Sequence, residues 1–561
     1  MLLTTHGQMR AVDRRLQEAG VAQEAMMEAV ACAVQATVER TVGRSCPSLP
    51  DRRDGTLGRV AVVAGKGHNG ADGVAAARRL QACGYDCHVY LTCAADAASE
   101  ALAAQLRAFV AVGGCVHGGD ASAAHGVPLA QGDGATGLAS CDIIIDAVLG
   151  SGAALPLRRE LAAVVEAINA SGRPVVAVDV PTGIDGDTGS VPGPAVRATC
   201  TVACGFARVG LYQYPARAFA GDVVLAELGA PAEWAREAGA NCVLESWTSA
   251  RQLLRVRPPD GHKGTFGRVG VVAGSPGLYG AARLAVKGAA RAGCGLVTVI
   301  GGAHWSEAAL LSLPDVATYL RAQGQAGADL PFATADWSAA AAQRLAGMQA
   351  AVCGPGLGPV FVAAAAAEAE VVQAFARAPV PLVLDADFLT ALAQDKETLL
   401  RFFDERAAAT VVTPHPKEFA RLVAALRAGG AVTVDRESRP VTAQDVQSDR
   451  VRMACHVATA IGVTVVLKGA GTVIASPGGD VWICLRGNSG LATGGSGDVL
   501  AGMLAGLLAS GMEVTAAARL GVYLHGLAAE LACEGEEASE ESFAASDLPD
   551  WIGRAWRYMR E

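Results

Sequence analysis

The stretch Gly487–Gly511, GNSGLATGGSGDVLAGMLAGLLASG, sets a glycine-dense loop bearing threonine and serine directly before an apolar helix, with one acid, Asp498, where loop becomes helix. Glycines let backbone N–H groups converge on an anion without interference from Cβ, and the helix N-terminus adds the positive end of its dipole. Such a stretch reads as a phosphate site with a carboxylate inside it. An acid aimed at bound phosphate is electrostatically unfavourable unless it has a task, and taking a proton from a nucleophilic hydroxyl is such a task. The competing reading is a glycine-rich turn before a core helix, with Asp498 at a helix start that suits acids.

The sequence upstream supplies the context. In HKGTFGRVGVVAGSPGLYGAARLAVKGAARAGCGLVTVI (His262–Ile300) two apolar strands flank a helix, a parallel βαβ unit. AAVCGPGLG (Ala350–Gly358), PLVLDADFLTALA (Pro381–Ala393), TVVTPHPKEFARL (Thr410–Leu422) and VTVVLKGAGTVIAS (Val463–Ser476) follow, each with a strand ending in a loop of Gly, Pro, Asp or His. The repetition predicts one α/β sandwich of about 310 residues. His415 sits near Glu418 in HPKE, but no second histidine is near and Pro416 starts a helix well, so a helix-start or ligand-contact role is favoured over zinc. Lys468–Thr472, KGAGT, puts a cation and loop amides beside a nucleotide phosphate, or else forms a tight hairpin.

The first half repeats the logic. Met9, Val12 and Leu16, then Val21, Met26, Met27, Val30 and Val34, fall at helical spacing and predict one or two leading helices. RVAVVAG (Arg59–Gly65) reads as a buried strand, followed by GKGHNGADG (Gly65–Gly73) and a helix, Val74–Ala82; the glycine spacing is not the GxGxxG of dinucleotide folds. DIIIDAVLGSGA (Asp142–Ala153) and PVVAVDVPTGIDGDTG (Pro174–Gly189) each end a strand with an acid, Asp146 or Asp179, before a Gly/Ser/Thr loop. In a parallel sheet such loops gather at the carboxyl edge, where ligands bind. Asn69, Asp146 and Thr182 offer hard oxygens to a cation, leaving Asp179 to act on a substrate; the alternative is that each acid caps the next helix. Between Gly229 and Pro259 the chain lacks a strong period and reads as a linker.

At 561 residues the chain exceeds one ordinary domain and should bury two cores, and 51% hydrophobic with 18% charged residues marks it as globular. A net charge of −9 leaves no basic excess for nucleic acid or an acidic membrane surface. The 15 cysteines form no CxxC and fit a reducing cytoplasm, and the start, MLLTTHGQMRAVDRR, lacks the layout of a secretory signal. A soluble cytoplasmic protein, assembled as a homo-oligomer, is expected.

The set GKGHNGADG, DAVLGSG and DVPTGIDGDTG resembles the N-terminal epimerase domain of the bifunctional NAD(P)H-hydrate repair enzymes over roughly residues 5–230. HKGTFG, GPGLG, DAD, TPHPKE, LKGAGT and GNSGLATGGSGD resemble their ADP/ATP-dependent dehydratase domain, related to ribokinase-type small-molecule kinases. The resemblance implies an α/β chain with an N-terminal Rossmann-like three-layer sandwich (1–235) and a C-terminal ribokinase-like sandwich (246–561). It implies hydrated NADH or NADPH as substrate, ADP or ATP with Mg²⁺, and potassium in the first domain. In that first domain it implies a ligand loop of His68, Asn69, Gly70, Ala71 and Asp72, a second loop of Gly150, Ser151, Gly152, Ala153, Ala154, Leu155 and Pro156, potassium ligands Asn69, Asp146 and Thr182, and the acid Asp179. In the second it implies substrate contacts at Ala281, Gly356, His415 and the catalytic Asp498, and nucleotide contacts at Lys468, Gly469, Ala470, Gly471, Thr472 and Gly497.

Some positions depart from the family pattern. NNGGD reads HNGAD, MENAG reads MEAVA (Met27–Ala31), Arg208-Val209-Gly210 stands where a lysine is usual, and Thr390 stands where Asn is frequent. Ala71 is expected to narrow the ligand pocket, and Arg208 to hold its proton more firmly than lysine would. The rival reading is a kinase for a vitamin-type alcohol whose first domain is a non-catalytic binding or assembly module.

Overall fold

The computed structural model describes residues 1–45, 56–118, 137–314, 317–432, 439–535 and 538–561. The chain divides into two compact units, Leu2–Cys242 and Val243–Glu561. The stretch around residues 229–259 lacks a period because it folds into short pieces, the helices Ala232–Glu237 and Trp247–Arg251 among them.

The first unit is built on a seven-stranded sheet in the order Cys115–His117, Asp86–Leu91, Arg59–Ala64, Ile143–Ala147, Val175–Val178, Cys200–Cys204, Asp222–Ala226. Every pair in it is parallel. Alternate residues serve opposite faces, as the two-residue period requires. Val60 and Val62 pack with the helices Gln23–Ser45 and His68–Ala82, whereas Ala61 and Val63 pack with Val164, Val165 and Ile168 of the helix Arg159–Ala170. The helix predicted from Val74 begins six residues earlier, at His68, with Gly67 at its N-cap. The second half of the glycine loop is therefore the first turn of that helix. Gly70 is required there, because a Cβ would lie 1.9 Å from the Gly65 carbonyl oxygen.

In the second unit the strands Leu296–Gly301, Arg268–Val272, Ala350–Cys353, Leu382–Leu384, Thr410–Val412 and Thr464–Leu467 run parallel in that order, with Ala317–Arg321 parallel at one side. Thr472–Ala475 and Val481–Cys484 continue the sheet antiparallel. One face carries the paired helices Tyr279–Ala292 and Ser496–Ala509. Among the described residues no single helix is long and apolar enough to cross a membrane.

The glycines inside these paired helices are where the two backbones meet. A Cβ on Gly288 would lie 2.2 Å from the Val499 carbonyl oxygen, and one on Gly502 would lie 2.0 Å from that of Ala285. Helical propensity disfavours glycine by about 1 kcal/mol, so close approach outweighs it here. Gly502→Ala should lower the thermal midpoint of this unit, with overpacking costing about 1–3 kcal/mol. Gly553→Ala, at a helical position with nothing within 4 Å, should stabilise slightly; calorimetry of both variants checks the contrast.

Candidate active site

Asp498 lies in the first turn of Ser496–Ala509, whose N-cap Gly495 holds a left-handed φ of 104°. Side chains pin the loop ahead of it. Ser496 Oγ donates to the carbonyls of Leu491 (2.9 Å) and Thr493 (3.1 Å). His525 Nε2 stands 3.0 Å from the Ser496 carbonyl oxygen. Burial lowers the His525 pKa to about 4, so the ring is neutral at neutral pH and donates its Nε2 proton to that carbonyl. His525 was not singled out from the sequence; it lies mid-helix in an apolar run with no motif around it.

Beneath the loop, Lys468 Nζ donates to Asp385 Oδ1 at 2.7 Å, and a Cβ on Gly497 would come 3.1 Å from that Nζ. Burial raises the Asp498 pKa, the Asp385 carboxylate adds to the rise and Lys468 opposes it, leaving it at about 7. For Lys468, burial works against the ammonium, but Asp385, Glu418 and Asp498 outweigh it and its pKa is raised. At neutral pH the site thus holds a fixed cation next to a carboxyl group poised between its acid and base forms.

His415 has the helix-start role. Its Nδ1 accepts the N–H groups of Lys417 (3.1 Å) and Glu418 (3.4 Å), while Glu418 Oε2 accepts the His415 N–H at 2.9 Å. Burial, then Lys468, lowers the His415 pKa. Lys468–Thr472 is the turn between the antiparallel strands Thr464–Leu467 and Thr472–Ala475, as the hairpin reading has it; the same turn aims Lys468 at Asp385. The buried Arg450, another residue without a motif, braces that turn by donating through Nη2 to the carbonyls of Leu467, Lys468 and Gly471 at 3.0, 3.3 and 3.4 Å. Gly356 and Ala281 adjoin, since a Cβ on Gly356 would come 2.9 Å from the Ala281 Cβ.

In the first unit, Asp146 closes the strand Ile143–Ala147 and is fully buried. Its Oδ1 accepts Thr182 Oγ1–H at 2.7 Å and its Oδ2 the Thr182 N–H at 2.8 Å. Burial raises its pKa to about 6 against these hydrogen bonds. Neither acid caps a helix: Asp179, just past Val175–Val178, holds a left-handed φ of 65°, a strained value for a non-glycine residue. Its Oδ2 accepts the Ser151 N–H at 2.8 Å and its Oδ1 pairs with Arg208 Nη2 at 3.0 Å. A Cβ on Gly150 would meet Asp179 Oδ2 at 3.0 Å and Asn69 Oδ1 at 3.4 Å. Asn69, Gly150, Ser151 and Asp179 are therefore neighbours.

Ala71 is not part of the pocket. Its side chain is fully buried in the core with Met27, Val30 and Val74, and its N–H donates to the Gly67 carbonyl at 3.1 Å. The expected narrowing of the ligand pocket by its methyl group is therefore absent: in the first turn of His68–Ala82 this position faces the helix Gln23–Ser45. What does face the pocket is the leading helix His6–Glu18. Arg10, Asp13 and Arg14 line a cavity of about 510 Å³ with His68, Asp72 and Cys204. His6 Nδ1 stands 3.2 Å from Ser151 Oγ. Burial and the nearby Asp179 raise the pKa of Asp72, and burial raises that of Asp13. His6, Arg10 and Asp13 carry no motif; they form the polar stripe between the apolar Met9, Val12 and Leu16.

Two α/β units, each with an acid set among glycine loops at the carboxyl ends of parallel strands, define a small-molecule enzyme of the nucleotide-using class. Residues 269–550 match the model of the family described as NAD(P)H-hydrate dehydratase, and residues 23–210 that described as YjeF-related protein N-terminus. The bifunctional NAD(P)H-hydrate repair enzyme Nnr of Thermofilum pendens is 33% identical, over 99% of this chain and 96% of its own. That of Moorella thermoacetica is 34% identical over 90% and 88%. A crystal structure of the ADP/ATP-dependent NAD(P)H-hydrate dehydratase from Bacillus subtilis with ATP/Mg²⁺ superposes with a TM-score of 0.44 at 30% identity, covering 57% of this chain and 99% of that one. The chain belongs to the family of bifunctional NAD(P)H-hydrate repair enzymes.

Proposed function

We propose that this chain restores hydrated NADH and NADPH in two steps. The first unit interconverts the R and S forms of the hydrate, and the second dehydrates the S form at the expense of ADP or ATP. The observation that carries the reading is the half-buried Asp498, with a pKa of about 7, at the end of a glycine loop that lies against Lys468.

Hydroxide is a poor leaving group from the reduced nicotinamide ring. Asp498 takes the proton of the ring hydroxyl as its oxygen attacks the terminal phosphorus of the nucleotide; the bond to the bridging oxygen breaks, and AMP or ADP departs. The ring nitrogen's lone pair then expels phosphate, and loss of a ring proton regenerates the double bond. The amides of Gly494–Gly497 and the Lys468 ammonium face the charge that develops on the transferred group. Magnesium bound with the nucleotide would neutralise phosphate charge, and Asp385 and Glu418 would supply hard oxygens to hold it.

In the first unit Asp179 is the acid that serves epimerisation, with Arg208 holding its carboxylate in place. The residues there suit potassium: Asp146 Oδ1, Thr182 Oγ1 and the Leu149 carbonyl oxygen converge, and among the described residues no ion pair reaches Asp146. A cation bound there would supply the countercharge that Asp146 otherwise lacks. The described cysteines are free thiols, in keeping with a cytoplasmic setting.

Asp498→Asn should cut dehydration by about 10²–10⁴-fold while the nucleotide still binds; near-normal turnover would remove Asp498 from the chemistry. The base form grows as pH rises through about 7, so kcat/KM for the hydrate should climb there. Lys468→Met, which removes the cation holding that pKa down, should push the limb to higher pH.

For the first unit, epimer interconversion by the full chain should run faster in potassium than in sodium buffer and fall by about 10²-fold or more in Asp179→Asn. Rates equal to buffer alone would make the unit a binding module.

A further inference from the structure

The edge of the seven-stranded sheet carries residues that neither reaction uses. Strands Asp86–Leu91 and Cys115–His117 pair in parallel, with His88 opposite Cys115 and Tyr90 opposite His117. The two-residue period puts Asp86, His88 and Tyr90 on one face, beside Cys115 and His117 of the neighbouring strand. His88 Nδ1 is 2.8 Å from His117 Nε2, and Cys115 Sγ is 3.5 Å from the same nitrogen. One ligand atom from each of the three lies within 4.8 Å of the others. Tyr90 stacks on His117 with ring centroids 4.6 Å apart, and His88 stacks on it at 5.1 Å, so the imidazoles are held in place.

We propose that His88, Cys115 and His117 bind a zinc-class divalent transition-metal ion, with water in the fourth position. A thiolate and two imidazoles are the ligands such an ion prefers; potassium, magnesium and calcium favour oxygen. Tetrahedral zinc with Zn–N of about 2.0–2.1 Å and Zn–S of about 2.3 Å separates its ligands by about 3.3–3.6 Å. The Cys115–His117 spacing already fits, and the His88–His117 spacing needs to open by about 0.5 Å to reach that range. The other nitrogen of His88, Nε2, lies 3.2 Å from Asp86 Oδ1, the place of the carboxylate that orients a metal-bound histidine. Asp86 is itself fixed by Arg59 Nε at 2.7 Å. Cys115 is exposed, so an ion has a way in. Binding would release the thiol proton and tie a three-residue edge strand to its neighbour through side chains as well as backbone.

The competing reading is a histidine–histidine hydrogen bond with a bystander thiol. The two separate with the full chain, reduced and stripped of metal, titrated with Zn²⁺ alone and Co²⁺ alone. One equivalent of zinc should be held against a chromophoric chelator, and cobalt should give a thiolate-to-metal absorption band that Cys115→Ser abolishes. His117→Asn should lose stoichiometric binding, and Asp86→Asn should weaken it by about 10–100-fold. Cys32→Ser, an exposed thiol elsewhere, should leave the band intact, and circular dichroism of the metal-free variants should match the parent. The proposal is overturned if the parent chain takes up no stoichiometric metal, or if the cobalt band survives Cys115→Ser.

Discussion

The ion pair between Lys468 and Asp385 is the constraint on which the second site rests. Asp385 is 1% exposed in its side chain and Lys468 20%, so removing either partner strands a buried charge at a cost of about 3–5 kcal/mol. The pair joins the ends of two strands, Leu382–Leu384 and Thr464–Leu467, directly under the glycine loop. Its two halves act on Asp498 in opposite directions, Asp385 raising the pKa and Lys468 lowering it. Burial is the largest cause of the rise, the Asp385 carboxylate the next, and the Lys468 ammonium the counterweight that leaves the group titrating at about 7.

Around that pair the backbone is forced into conformations that only particular residues tolerate. Ala386, next to Asp385, takes a left-handed φ of 50°, and a Cβ on Gly354 would lie 1.8 Å from the Asp385 carbonyl oxygen. The DAD and GPGLG loops therefore lock against each other, and Gly358 completes the lock by donating its N–H to Asp387 Oδ2 at 2.8 Å. The first unit repeats the device with different parts: Asp179 is left-handed, paired with Arg208 and capped by the Ser151 N–H. In each unit the strained residue is or adjoins a buried acid of the candidate site, Asp179 in the first and Asp385 in the second, and the surrounding contacts hold the strain.

Much of this was legible before any coordinates. Apolar runs whose length and β-branched content mark parallel strands located Asp146, Asp179 and Lys468 at their ends, and Asp498 stands out as the one acid in a glycine loop before an apolar helix. His525 and Arg450 were not legible: each acts on a carbonyl distant in sequence, 29 and 17–21 residues away, and no local spacing records that. Ala71 misled for a related reason. A glycine motif read as a loop assigns its residues to a ligand, but three residues of helical rotation inside that motif turn Ala71 toward the core.

The fate of one oxygen atom tests the central claim most directly. Hydrate prepared with ¹⁸O in the ring hydroxyl, turned over by the full chain with ADP or ATP, should deliver the label to inorganic phosphate, read by mass spectrometry. Label recovered in water, with phosphate unlabelled, would mean that the hydroxyl never attacks phosphorus and would contradict the role assigned to Asp498 and its loop.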